Sequence, residues 1–136
     1  MENPIEQVMI ERGERIDSMT IADLIRGAHQ TAVEKGWWEN DRPFSEGIAL
    51  MHSELSEALE EWRKHGMDSQ AMIYPYTVFS EPAGAVKPEG VAVELADVLI
   101  RIGDWCGKHN IPLEEALRAK MAYNKTRPHR HGGKLA

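Results

Sequence analysis

One cysteine, Cys106, is present in 136 residues. An intrachain disulfide framework and a cysteine-based metal centre are therefore excluded. Cys106 follows Trp105 near the end of a helical stretch and reads as a small core residue, not a nucleophile. Long hydrophobic runs are also missing, and nothing approaches the ~20 apolar residues of a membrane span. The start, Met1-Glu2-Asn3-Pro4, has no apolar run. No signal peptide is expected, and the expected location is cytoplasmic. Basic residues are in deficit, 16 against 22 acidic, for a formal net charge of −6. A general binder of nucleic-acid polymers or membranes needs a basic face, so both classes are disfavoured. Convincing sheet-forming strands and low-complexity tracts are absent as well.

What is present is helical. Apolar content is an ordinary 42%, and the length suffices for one domain with a proper core. Residues 1–16 read as an N-terminal appendage, with residues 17–136 as the domain. Thr20 with Asp23 three residues on forms a capping-box pattern. Ile21, Leu24, Ile25, Ala28 and Ala32 follow at helical spacing, and Gly36 is a natural stop. A loop holds Trp37, Trp38 and Pro43. A second helix is expected from about Phe44 to His65, stopped by Gly66. Residues 67–87 break the pattern with Pro75, Pro82 and Gly84 and read as an inserted loop or small hairpin. Pro75 disfavours a long central strand there. Pro88 is expected to start a third helix running to about Lys108. Pro112 starts a fourth, ending near Lys125. The fold class expected is all-α, a bundle of four main helices with the insertion between the second and third.

Two carboxylate pairs stand out, Glu54-x-x-Glu57 and Glu94-x-x-Asp97. The stretches around them, residues 51–62 and 91–102, match at a constant offset of 40. Side chains advance about 100° per residue on a helix. Met51, Leu55, Ala58, Leu59 and Trp62 thus share one arc of the first helix. Val91, Leu95, Val98, Leu99, Ile102 and Trp105 share one arc of the second. Glu54, Glu57 and Glu61 lie on one flank of the first arc, and Glu94 and Asp97 on the same flank of the second. With the apolar arcs packed together, the carboxylates would line one edge of the interface. Acidic residues beside an apolar stripe are ordinarily a solvated flank. Two pairs in the same phase on two helices point instead to a hard oxygen cage, which suits Mg²⁺ or Mn²⁺ and not zinc.

The chain at this point resembles the all-α nucleoside triphosphate pyrophosphohydrolases, the group that includes MazG, the dimeric dUTPases and the dCTP pyrophosphatases. The residues that carry the likeness are Leu50-Met-His-Ser-Glu54-Leu-Ser-Glu57-Ala-Leu-Glu-Glu61-Trp62, then Val93-Glu94-Leu-Ala-Asp97-Val-Leu-Ile100, then Lys120-Met-Ala-Tyr-Asn124-Lys-Thr-Arg127. It spans roughly residues 20–134. The segment at 67–87 departs from the family, whose acidic motifs are usually joined by a shorter connection.

The resemblance implies a MazG-like four-helix bundle that splits a (d)NTP into the monophosphate and pyrophosphate, in nucleotide-pool sanitising or dNTP control. A nucleoside triphosphate carries about four negative charges and approaches an acidic cage only through bridging cations. The implied cofactor is Mg²⁺, with Mn²⁺ as a substitute, held by Glu54, Glu57, Glu94 and Asp97. Glu57 or Glu61 would serve as the base that activates water. Lys120 and Arg127 would neutralise charge on the leaving pyrophosphate, and Asn124 would read a base edge. Trp37 is a candidate for stacking on the base. The implied assembly is a homodimer or homotetramer.

Each of these residues also has a plainer reading. Lys120 and Arg127 suit a helix C-terminus, and Asn124 suits a cap. Trp62 and Trp105 read as core, and His129 and His131 as parts of a basic tail. A di-iron bundle would need Glu-x-x-His motifs, and the chain has none. The remaining rival is a non-catalytic nucleotide-binding or helical adaptor protein.

Overall fold

The computed structural model describes residues 19–66, 69–70, 73–77 and 86–135. The appendage expected over residues 1–16 and the middle of the expected insertion lie outside the described residues. Helix α1 spans Ile21–Glu34 and opens on the capping box. The Thr20 hydroxyl accepts the Asp23 N–H at 3.1 Å, and the Asp23 carboxylate accepts the Thr20 N–H at 3.1 Å. Two of the orphan donors of the first turn are thereby satisfied. Helix α2 spans Phe44–His65 and ends at Gly66, with Arg63, Lys64 and His65 set against the negative end of its dipole.

A two-stranded antiparallel hairpin joins α2 to α3. Strand β1 is Tyr74–Thr77 and β2 is Val86–Glu89, with Pro75 opposite Pro88. This corrects the expectation that Pro88 starts the third helix. Neither proline has an N–H to donate, so the two suit a pairing position that makes no ladder bonds. Helix α3 starts later, at Val91, and runs to His109. Gly90 makes the turn from strand to helix at φ +122°, a conformation that L side chains rarely adopt. Asn110 closes α3 in the left-handed conformation, and Pro112 precedes α4, Leu113–Thr126. A short turn of helix, α5, covers Arg130–Gly133.

Helix α3 is central, packed along α1 on one side and α2 on the other. Against α1 the approach is close: a Cβ on Gly107 would lie 2.6 Å from Cβ of His29. Asp104 ties the same region together. Its Oδ1 accepts Trp38 Nε1–H at 2.7 Å and lies 2.9 Å from His29 Nδ1. Trp38, Trp105, His109 and Phe44 form a ring cluster, the Trp105 and His109 centroids only 4.4 Å apart. Trp105 and Cys106 are buried, as expected, while Trp62 is half-buried. Helix α4 buries none of its residues and meets α1 only lightly.

The facing of α2 and α3 departs from expectation. Glu54, Glu61 and Glu94 are buried, whereas Leu55, Leu59, Leu95 and Leu99 are 46%, 48%, 47% and 54% exposed. The two helices pack together, and Glu54 of α2 bonds to Arg101 of α3, so the buried acidic side chains occupy the seam instead of its edge. Leu55 and Leu95, one residue after Glu54 and Glu94 and thus about 100° round, turn outward, as do Leu59 and Leu99 one turn further on.

Candidate metal centre

Three carboxylates converge in the seam between α2 and α3. One oxygen each from Glu54, Glu94 and Asp97 can be chosen so that all three lie within 4.8 Å of one another. Spacing of three and the matching phase of the two helices bring this about. Glu57, three residues after Glu54, is exposed, and its charge acts on Glu94. The four acidic residues singled out from the sequence are thus brought together, three as a tight cluster and Glu57 at its rim.

Burial and the crowding of like charges both act against the ionised carboxylates. Burial pushes the Glu94 carboxyl up to about 7, helped by the charges of Glu57, Asp97 and Glu54. Asp97 is also raised, first by burial and then by Glu54, against the opposing pull of Arg101. A divalent cation relieves such repulsion directly. The donors are all carboxylate oxygens, which fits a hard cation such as Mg²⁺ or Mn²⁺ without singling one out.

Two resident cations flank the cluster. Arg101, one turn beyond Asp97 on α3, donates its Nε–H to Glu54 Oε1. Lys87 of β2 holds Glu89 at 2.9 Å. That bond, with Glu94 and Glu57 nearby, raises the Lys87 ammonium above its ordinary value. A cavity of about 890 Å³ opens beside the cluster. Glu54, Asp97, Arg101 and Asp104 line it, together with Trp37, Arg42 and the small residues Gly27, Ala28, Thr31 and Ala32. Trp37 is 64% exposed. Its ring lies 5.5 Å from the Arg42 guanidinium, which also donates to the Trp37 carbonyl at 2.7 Å. Trp37 is thus held beside the cavity, while Trp38 belongs to the core.

Other expected residues lie elsewhere. Glu61 is buried farther along α2, its carboxylate 3.9 Å from Lys64 and 3.6 Å from His65. Lys120 and Asn124 are on α4, Arg127 follows its last residue as the C-cap, and none of the three lines the cavity. Lys120 and Arg127 rest against the Tyr123 ring at 5.2 and 5.6 Å. Sequence reasoning passed over Arg101, Arg42, Asp104 and Lys87. Arg101 had a signal, since it falls four residues after Asp97 on the same face. Arg42 and Lys87 reach the site through a loop and a hairpin, whose paths leave no periodic trace. In comparisons with known proteins, the chain matches no family model and no curated protein.

Proposed function

We propose that the chain is a Mg²⁺-dependent nucleoside triphosphate pyrophosphohydrolase that converts a (d)NTP and water into a (d)NMP and pyrophosphate. The observation that carries this reading is the convergence of Glu54, Glu94 and Asp97 within 4.8 Å beside a cavity of nucleotide size. The motif resemblance supplies the reaction, and Mn²⁺ would substitute for Mg²⁺. Glu54, Glu57, Glu94 and Asp97 would hold the metal. When bound, such an ion would supply charge neutralisation for phosphate and lower the pKa of a water.

The remaining roles fall to the chain's own side chains. Glu57, at the rim beside Glu94, would take a proton from water entering the site. Buried Glu61 is the other candidate base. Trp37 and the small residues of α1 that line the cavity would receive a base. Lys120, Asn124 and Arg127 would reach phosphates or base only from another copy or after movement of α4. The exposed leucines of α2 and α3 support assembly into a homodimer or homotetramer, because patches of this kind mark interaction surfaces. Among the described residues no helix is long and apolar enough to cross a membrane.

The test is release of pyrophosphate and monophosphate from a panel of standard and modified (d)NTPs, with Mg²⁺ and then with EDTA. Metal-dependent release of both products is expected. Folded protein that turns over no nucleotide at high metal would reject the enzyme and favour an adaptor.

A further inference from the structure

Glu54 has two claimants. It belongs to the cluster of three carboxylates whose oxygens lie within 4.8 Å, and it also accepts the Nε–H of Arg101. Arg101 also lies near enough to Asp97 to pull its carboxyl down. One guanidinium therefore already neutralises part of the charge that would attract a divalent ion. Lys87 differs, because Glu89, a residue outside the cluster, takes its ammonium directly. Arg101 also lines the cavity beside Glu54 and Asp97. A guanidinium freed there would face whatever anion the cavity admits, with the planar fork that suits phosphate.

We propose that Arg101 is a built-in counter-cation that competes with divalent metal for Glu54, so that the site takes up metal together with a phosphate-bearing ligand better than metal alone. The proposal rests on the metal-dependent reading above. A guanidinium and a divalent ion sharing one carboxylate repel each other at close range. Transfer of the guanidinium to a phosphate removes that repulsion and gives the phosphate a fixed partner. Arg101 thus acts as a positioning residue on Glu54 and as a phosphate contact once displaced.

The experiment titrates the full chain with Mn²⁺ alone, following free Mn²⁺ by electron paramagnetic resonance, for the wild type, Arg101→Gln, Arg101→Lys, Lys87→Gln and Glu94→Gln. Circular dichroism checks that each variant is folded. Arg101→Gln is expected to bind Mn²⁺ roughly tenfold tighter than wild type, while its kcat for nucleotide falls. Arg101→Lys, which keeps the charge, should stay near wild-type Mn²⁺ affinity. Lys87→Gln removes a nearby positive charge without touching Glu54 and should change affinity much less. Unchanged or weaker Mn²⁺ binding by Arg101→Gln would overturn the proposal and make Arg101 an orienting partner of Glu54. Equal tightening by Lys87→Gln would overturn it too, as a general charge effect. If wild type and Glu94→Gln bind Mn²⁺ equally poorly, the metal reading itself fails and the proposal goes with it. An unfolded Arg101→Gln leaves the decision to Arg101→Lys, whose shorter reach and loss of the fork should lower kcat at unchanged Mn²⁺ affinity, and an unchanged kcat would overturn the proposal.

Discussion

Glu94 is 6% exposed and its neighbour Leu95 is 47% exposed. Glu54 and Leu55 repeat the inversion on α2, at 7% and 46%. A lone chain gains nothing from turning leucines to water and carboxylates inward, since apolar burial is the main favourable term in folding. The arrangement is coherent if a second copy covers Leu55, Leu59, Leu95 and Leu99 while the seam is reserved for cations. Wild type should therefore sediment as a species larger than the 15.4 kDa chain. Leu59→Lys combined with Leu99→Lys should shift it toward the monomer mass with helical content retained. Sedimentation velocity with circular dichroism decides this, and a monomeric wild type would reject the oligomer.

Protonation of Glu94 sets a pH dependence with a definite sign. Its carboxyl sits at about 7, against an ordinary value of 4.5. Between these values the folded chain keeps a proton that the unfolded chain has released. Stability from this group is fully present below about pH 4.5 and is lost as pH rises through 7, by on the order of 3 kcal/mol. Metal needs the deprotonated carboxylate, so Mn²⁺ affinity should rise over the same window. Calorimetry in buffers of differing ionisation enthalpy should record about one proton released per site near pH 6 and far less near pH 8. Equal release at both would show that Glu94 is not a ligand.

Much of this was legible in the sequence, for identifiable reasons. The Thr20 capping box, the stop at Gly66 and the start after Pro112 are local events, set by side chains within one turn. The pairing of Glu54 with Glu94 and Asp97 followed from two matching helical phases. Which arc faced inward did not. Carboxylates adjoining leucines ordinarily turn outward, and here the charged flank was buried against expectation. The Pro75–Pro88 pairing was also hidden, because proline before a helical pattern is a good start signal until a strand partner removes it. Lys120 and Asn124 of α4 and Arg127 at its C-cap matched by motif, yet a motif carries no information about which surface the helix lies on.

Asp104 should be a structural keystone, distinct from the acidic cluster. It joins Trp38 and His29 through one oxygen, fastening the tryptophan loop and α1 to α3. Asp104→Ala leaves both partners without an acceptor in a part-buried setting. The expected loss is about 2–3 kcal/mol of stability. Asp104→Asn keeps an acceptor oxygen and should cost about 1 kcal/mol. Urea denaturation measures both, and equal stabilities for the three proteins would show that the junction is held by the ring stacking alone.

Asp97→Asn and Glu57→Gln separate function from stability. Burial and the charge of Glu54 hold the Asp97 carboxyl above its ordinary range, so the ionised side chain is under electrostatic strain. Asparagine removes one negative charge from a cluster that repels itself. The variant should melt a few degrees higher than wild type without metal, the usual scale for about 1 kcal/mol in a domain of this size. Metal should then stabilise it less than wild type. Glu57→Gln, at the exposed rim, should leave melting within a few degrees of wild type. Both should lose turnover while the helices stay intact. Thermal unfolding with and without Mg²⁺, set beside pyrophosphate release, reads all three quantities. Variants that unfold outright would mark these carboxylates as structural, and variants that keep full turnover would remove them from the proposed chemistry.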